Sequence, residues 1–381
     1  MTFPNDNVWP MGIFGRLSIS FSLVIAGCMN TVPLGDALEV PTTLPPLRWS
    51  KSAASQSSAI LVFLTPDILA VSGTLDEGGS QRTGSVELLD ARSGGVRNTL
   101  SWSAPSSAPL FLSRAVVRLS EGRFLLQSWN SLKLFSPEGE VLKTRTFAVE
   151  DHHPDYNPSL TIHDHWDIGA SPDGHVLLAT LHRPGHPEAE EHWLSPETLE
   201  DIQVESADTA HCCDAVGQEQ VIYSPSAPKL APVLIRSKGG QPRPLCNKCF
   251  AAHAAFLDDK WIVLALAGRL LIVSNEGEIK ADENLGSKED KITEMSVAPI
   301  SRQIAFLLMP QYSRSTPGNY GVRVYDSVLK KVTFQMHIPV RIRREPPWDE
   351  VITAPNIALS PDGKSLAILD DSMLRIYALS P

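Results

Sequence analysis

The sequence predicts an all-β chain folded as a seven-bladed β-propeller, with the ring closed by an N-terminal strand that pairs with the last blade. Three observations lead there. The turn Ser-Pro-Asp-Gly occurs at 171–174 and again at 360–363, each time followed by an apolar run of strand length. Weaker copies stand at Thr65-Pro66-Asp67, Ser120-Glu121-Gly122, Gly217-Gln218, Asp258-Asp259 and Pro299-Ile300-Ser301. Residues 46–381 therefore divide into seven units of about 48 residues, the length of a four-stranded blade. The turn chemistry is sound: proline presets φ at the second turn position, and Ser, Asp and a closing Gly complete a tight turn.

Composition narrows the class further. Apolar residues make up 43% and charged residues 20% of 381, as in globular chains. Collagen, coiled coil and polytopic membrane protein are excluded. With 33 basic and 43 acidic residues the net charge is −10, which argues against a nucleic-acid partner held by phosphate neutralisation. The 30 prolines exceed ordinary usage.

Taken from the N-terminus, the first element is an address label. Residues 17–27 form an apolar run behind Arg16, too short to span a bilayer and patterned like a secretory signal. Met11 is the better start, because residues 1–10 carry Asp6 and no basic side chain. Ile25-Ala26-Gly27-Cys28 resembles the lipobox of bacterial lipoproteins. That resemblance implies a signal peptide over 1–27 and acyl chains on Cys28. It also implies export to the periplasm or cell surface, with a lipid anchor as the sole membrane contact. Plain secretion with cleavage nearby is the other reading. Residues 28–45, proline-containing and without a period, read as a tether, and 46–381 as the propeller.

Within the propeller, a second series of turns alternates with the first. It runs through Ser93-Gly94-Gly95, Ser136-Pro137-Glu138-Gly139, Ser195-Pro196-Glu197, Lys238-Gly239-Gly240, Asn275-Glu276-Gly277 and Asp326-Ser327. Short apolar or alternating runs flank each, as strands do. Each unit thus reads strand, tight turn, strand, variable loop, strand, tight turn, strand. With its Ser-Pro-Asp-Gly turns the chain resembles the WD40-like propellers of secreted bacterial proteins. After the seventh such turn only two strands remain, at 365–369 and 373–379. A blade short of one strand would leave an unpaired edge. Leu47-Arg48-Trp49-Ser50 is expected to fill it by pairing with Arg375-Ile376-Tyr377.

The meander puts all tight turns on one face of the disc. The long segments 147–166, 181–192, 205–215, 224–232, 241–252, 310–320 and 340–356 fall on the other. Long loops on a rigid scaffold commonly carry binding residues, although insertion drift gives the same pattern. Eight of 11 histidines lie between 151 and 192. His152, His153, His163 and His165, with Asp164 among them, fall in the link to the third blade and form the first candidate binding cluster. Imidazole and carboxylate suit a metal such as zinc. No known ligand spacing is matched, however, and a solvated polar loop, with Trp166 starting a core strand, explains the same residues. No metal or cofactor is therefore assigned.

The second cluster is cysteine. Besides Cys28 there are Cys212, Cys213, Cys246 and Cys249, an even number that suits oxidation after export. They lie in consecutive links between blades, so at least one bridge from link to link is expected, with a zinc site as the other possibility. The third cluster is Arg341, Arg343, Arg344 and Trp348, either an anion or carboxylate receptor or a salt-bridged strand end. Sequence motifs of hydrolases, phosphate-binding loops and zinc peptidases are absent. The function predicted is a non-catalytic platform that binds an envelope protein or small ligand through the long-loop face. The alternative is a propeller enzyme of hydrolase or lactonase type, with a metal or acid–base site near the axis.

Overall fold

The computed structural model describes residues 45–53, 60–76, 78–106, 114–152, 162–183, 188–208, 214–223, 232–286, 290–309, 318–340, 342–345, 348–352 and 354–379. All belong to one compact unit. Strand β1 (Leu47–Ser52) comes first. Blade 1 follows with β2 (Leu61–Thr65), β3 (Ile68–Asp76), β4 (Gln81–Asp90) and β5 (Val96–Pro105). Blade 2 holds β6 (Arg114–Arg118), β7 (Phe124–Ser128), β8 (Ser131–Phe135) and β9 (Val141–Thr146). A hairpin of β10 (Asp151–His152) and β11 (Ile162–His163) precedes blade 3. Blade 3 is β12 (His165–Ala170), β13 (Leu177–His182), β14 (Glu188–Leu194) and β15 (Asp201–Asp208).

The second half repeats the plan. Blade 4 is the shortest, with β16 (Asp214–Val216), β17 (Glu219–Ile222), β18 (Leu234–Ser237) and β19 (Arg243–Pro244). Blade 5 holds β20 (His253–Phe256), β21 (Trp261–Leu266), β22 (Arg269–Ser274) and β23 (Ile279–Asn284). Blade 6 holds β24 (Lys291–Ala298), β25 (Gln303–Met309), β26 (Asn319–Asp326) and β27 (Lys331–Pro339). A second hairpin, β28 (Ile342–Glu345) and β29 (Trp348–Ile352), leads to β30 (Asn356–Leu359), β31 (Ser365–Asp370) and β32 (Met373–Ala378). The described residues thus form seven four-stranded antiparallel sheets, the seventh in the order β1-β32-β31-β30.

The latch forms in the expected register. Leu47 faces Tyr377, Trp49 faces Ile376 and Ser50 faces Arg375. β1 is also tied to blade 1 on its other side. The Trp49 indole Nε1 donates to the Ala91 carbonyl at 2.9 Å, and Lys51 pairs with Glu87 at 3.2 Å.

The turns repeat because their side-chain acceptors repeat. In the two Ser-Pro-Asp-Gly turns, Gly174 N and Gly363 N each donate to the carbonyl of Ser171 and Ser360 at 2.8 Å. The Ser171 hydroxyl accepts Val176 N–H, and the Ser360 hydroxyl accepts Ser365 N–H. Both glycines sit at positive φ, 75° and 72°, and a Cβ on Gly174 would lie 2.1 Å from Ser120 N of blade 2. Glycine is required there by backbone conformation and by the neighbouring blade together. In the third-to-fourth-strand turns, one Ser or Asp oxygen accepts amides a few residues on. Asp90 does so for Arg92 and Ser93, Ser195 for Glu197 and Thr198, and Asp326 for Val328 and Leu329.

Packing follows strand order. The second strand of a blade is sandwiched between two neighbours, so β7 and β31 are buried at every position. The fourth strand is peripheral, and β9 is exposed at five of its six positions. Seven apolar clusters lie between the blades, one at each interface of the ring. Six are large. The seventh, between blades 3 and 4, holds only Leu178, Trp193 and Val216, with Val176 packed against it. A polar triad completes that interface. Glu191 on β14 bonds to Arg236 on β18, and Gln220 on β17 donates to Glu191 at 3.0 Å and accepts from Arg236 Nε at 3.0 Å. The Glu191 and Arg236 side chains are only 3% and 7% exposed. A buried pair of this kind contributes little over an apolar replacement, but removal of one partner strands a charge.

Two outcomes follow for stability. Trp49→Ala should lower the urea midpoint by the equivalent of about 2–4 kcal/mol, somewhat below the cost for a fully buried aromatic because Trp49 is half-buried against its cluster. Deletion of 45–52 should abolish the cooperative transition, and an unchanged midpoint would show that β1 does not close the ring. At the blade 3–4 interface, Arg236→Ala alone should cost about 3–5 kcal/mol. The pair Arg236→Met with Glu191→Leu should cost much less, and equal losses would deny the charge-stranding account.

Candidate functional site

The tight-turn face carries an opening bordered by turns of several blades. First-to-second-strand turns lie nearest the ring axis, and those of six blades converge there. They enclose a cavity of about 410 Å³ lined by Leu64, Pro66, Pro172, Pro299, Ile300 and Pro361, with Arg118, Glu121, Asp173, Asp258 and Asp259 among them. The prolines coincide because each occupies the same place in its turn, and ring symmetry turns that repeat into a collar. Ile300 is 76% exposed in this collar.

Charge in the mouth is uneven, with four carboxylates facing one guanidinium. Arg118 is committed to the wall, where it donates to the Pro172 carbonyl at 2.6 Å. Asp258 Oδ1 accepts Lys260 and Trp261 N–H, and Asp258 Oδ2 pairs with Arg302 at 2.9 Å. The Asp173 carboxylate accepts His175 N–H at 3.0 Å. Asp173 and Asp258 thus close the turns of blades 3 and 5, and the mouth is lined by apolar and acidic side chains together.

The predicted site residues lie at the other end. Strand order places the strand ends that flank the long connections on the face opposite the collar. His152 and His163 belong to the β10–β11 hairpin, with Asp151 facing His163 and His152 facing Ile162. His153 lies outside the described residues. Asp164 is buried and folds the link back: its N–H donates to the Glu150 carbonyl, and its carboxylate accepts Glu150 N–H, both at 3.2 Å. His165 starts β12 and faces His182 across the ladder. Their rings stack with centroids 4.8 Å apart, and His182 Nε2 stands 3.2 Å from Asp167 Oδ2. Burial and the adjacent His182 lower the His165 pKa. Trp166 points the other way into the core, stacked on Phe147 at 3.9 Å. His192, placed by sequence beside the long loop, is instead buried in β14, bonded to Asp201 and Glu190 at 2.8 Å each. The backbones of Arg343 and Arg344 run in β28 and that of Trp348 in β29. Arg341 and Cys28 lie outside the described residues.

The cysteine expectation needs correction. Cys246 and Cys249 are bonded to each other, with Cα atoms 5.1 Å apart, so neither bridges to another link. A local turn is the reason. Cys249 N donates to the Cys246 carbonyl at 3.2 Å, and Val233 and Leu245 pin the turn to blade 4 through backbone bonds at 2.9 Å. Both thiols of that pair are consumed, which removes the zinc alternative there. Cys212 and Cys213 lie outside the described residues.

One half-buried acid was not singled out by sequence. Glu294 on β24 reaches the free edge of blade 7 and accepts Ile357 N–H at 3.1 Å, while Ser296 accepts Leu359 N–H at 2.9 Å. These bonds satisfy amides on β30, an inner strand with no partner on that edge within its own sheet. Desolvation pushes the Glu294 pKa up to about 8.

No family model matches the sequence, and no curated protein matches it. Among solved structures, a chain in the crystal structure of the mitotic checkpoint complex aligns over 93% of this chain and 100% of its own. The identity is 15% and the TM-score 0.50. The C-terminal WD40 domain of Sif2 aligns over 91% of this chain and 100% of its own, at 10% identity and a TM-score of 0.49. The likeness to the mitotic checkpoint chain is one of fold.

Glu294 gives a signed pH effect. In the unfolded chain its proton leaves near the ordinary 4.5, and in the folded chain near 8. The folded state binds more protons between those values, so this group's stability contribution is lost as pH rises through them. Relative to Glu294→Gln, the wild type should lose urea stability progressively from about pH 5 to about pH 8. A wild-type-minus-variant difference that stays flat over that range would refute the assignment.

Proposed function

We propose that the protein is a non-catalytic interaction platform of the bacterial envelope, exported behind residues 1–27, acylated at Cys28 and tethered by 28–45. The observation that carries the binding role is the axial mouth on the tight-turn face. Turns from six blades line it, and those of blades 1, 2, 3, 5 and 7 are closed by their own hydrogen bonds, so a partner meets a surface that is largely preformed. A lining of prolines and Ile300, with Glu121, Asp173, Asp258 and Asp259 beside them, fits a protein segment presenting an apolar side chain beside lysine or arginine. The histidine and arginine links of the long-loop face remain the sequence's proposal for a second contact surface.

Two measurements test this reading. Cys28→Ser should move the protein from the membrane fraction to the soluble exported fraction and remove the lipid mass, and retention in the membrane would reject the anchor. A photocrosslinking residue in place of Ile300 should give a discrete protein adduct in cells. The same residue at Val328, exposed on a peripheral turn of blade 6, should not. Equal adducts at both positions, or none at 300, would reject the mouth as the docking surface.

A further inference from the structure

We propose that His165, Asp167 and His182 form a divalent transition-metal site, of a kind suited to zinc, on the long-loop edge of blade 3. The register creates it. His165 and His182 are directly opposed across β12 and β13, so their side chains share one face of the sheet. Asp167, two residues after His165, falls on that same face because strand side chains alternate with period 2. One ligand atom from each of the three lies within 4.8 Å of the others. Zinc–nitrogen and zinc–oxygen bonds of about 2.0–2.2 Å set tetrahedral donors a little over 3 Å apart, so small side-chain rotations close the set.

The chemistry of the three residues suits the ion. Two imidazole nitrogens and one carboxylate oxygen are borderline donors that zinc accepts. Both histidines are half-buried and Asp167 is exposed, which leaves the remaining coordination position open to water or a ligand. The fold itself does not ask for this arrangement. At the corresponding first pair of the inner ladder, blade 1 has Leu61 with Val71, blade 5 His253 with Ala265 and blade 6 Lys291 with Met309. Blade 7 has Asn356 with Leu369. Among the described residues, blade 3 alone opposes two metal-ligand side chains there.

The test uses the full chain stripped with a chelator and desalted, titrated with zinc against a chromogenic competitor. One equivalent should bind and raise the melting temperature, as any ligand selective for the folded state does. Cobalt in its place should give visible ligand-field bands without thiolate charge transfer, a readout that needs no variant. His165→Gln or His182→Gln should weaken zinc by at least tenfold and remove the thermal shift. Melting in chelator should stay near wild type in both variants. His175→Gln, beyond the tight turn at the opposite face, should change nothing. Absence of stoichiometric binding, binding that survives loss of both histidines, or thiolate bands with cobalt would each overturn the site.

Discussion

The pairing of β1 with β32 is the constraint on which the rest of the molecule depends. Each blade is a small sheet that buries its two faces only against its neighbours. Seven clusters at seven interfaces mean that no blade has a free face while the ring is shut. An open arc would expose two apolar faces and an unpaired edge on blade 7 at once. β1 prevents this from both sides: its backbone completes blade 7, and Trp49 packs into the cluster shared with blade 1. The geometry of both ends of the axis, the proline collar and the histidine edge alike, is fixed only because the circle is closed.

Much of this was legible in the sequence because it is carried by local chemistry. Ser-Pro-Asp-Gly marks a turn by its own hydrogen bonds, and a strand buried on both sides reads as an unbroken apolar run, as in 366–369. The latch was legible by counting: a last blade one strand short requires the missing edge from elsewhere. The pair Cys246 and Cys249 was misjudged because the turn that joins them is fixed by backbone bonds from Val233 and Leu245, which leave no trace in cysteine spacing. Glu294 was missed because a register shift between Ile292 and Glu294 decides where its side chain goes, and a bulge is not visible in alternation.

The candidate sites show the same division. Pro66, Pro172, Pro299 and Pro361 are each explained by turn preference, and only the ring shows that the same preference, repeated, makes a collar. The signal was present as a common turn position read around an axis. Likewise the clustering of histidines between 151 and 192 was plain, but the three-residue site emerges only from the β12–β13 register, which includes His182 and separates His192 into the core. Polar residues also serve the scaffold. Glu191, Gln220 and Arg236 occupy strand positions that alternation alone leaves ambiguous, and they fill the interface where blade 4 is too short to supply apolar surface.

The latch also dictates when the molecule can fold. Leu47 and Tyr377 stand near opposite ends of the chain, so the contact that closes the ring has almost the largest sequence separation available. Loop closure costs only the logarithm of that length at equilibrium, yet such distant contacts slow folding. The strand made first must wait, unpaired, until the strand made nearly last has emerged. During that interval the growing chain has an open edge at each end, and its safety rests on time rather than on stability.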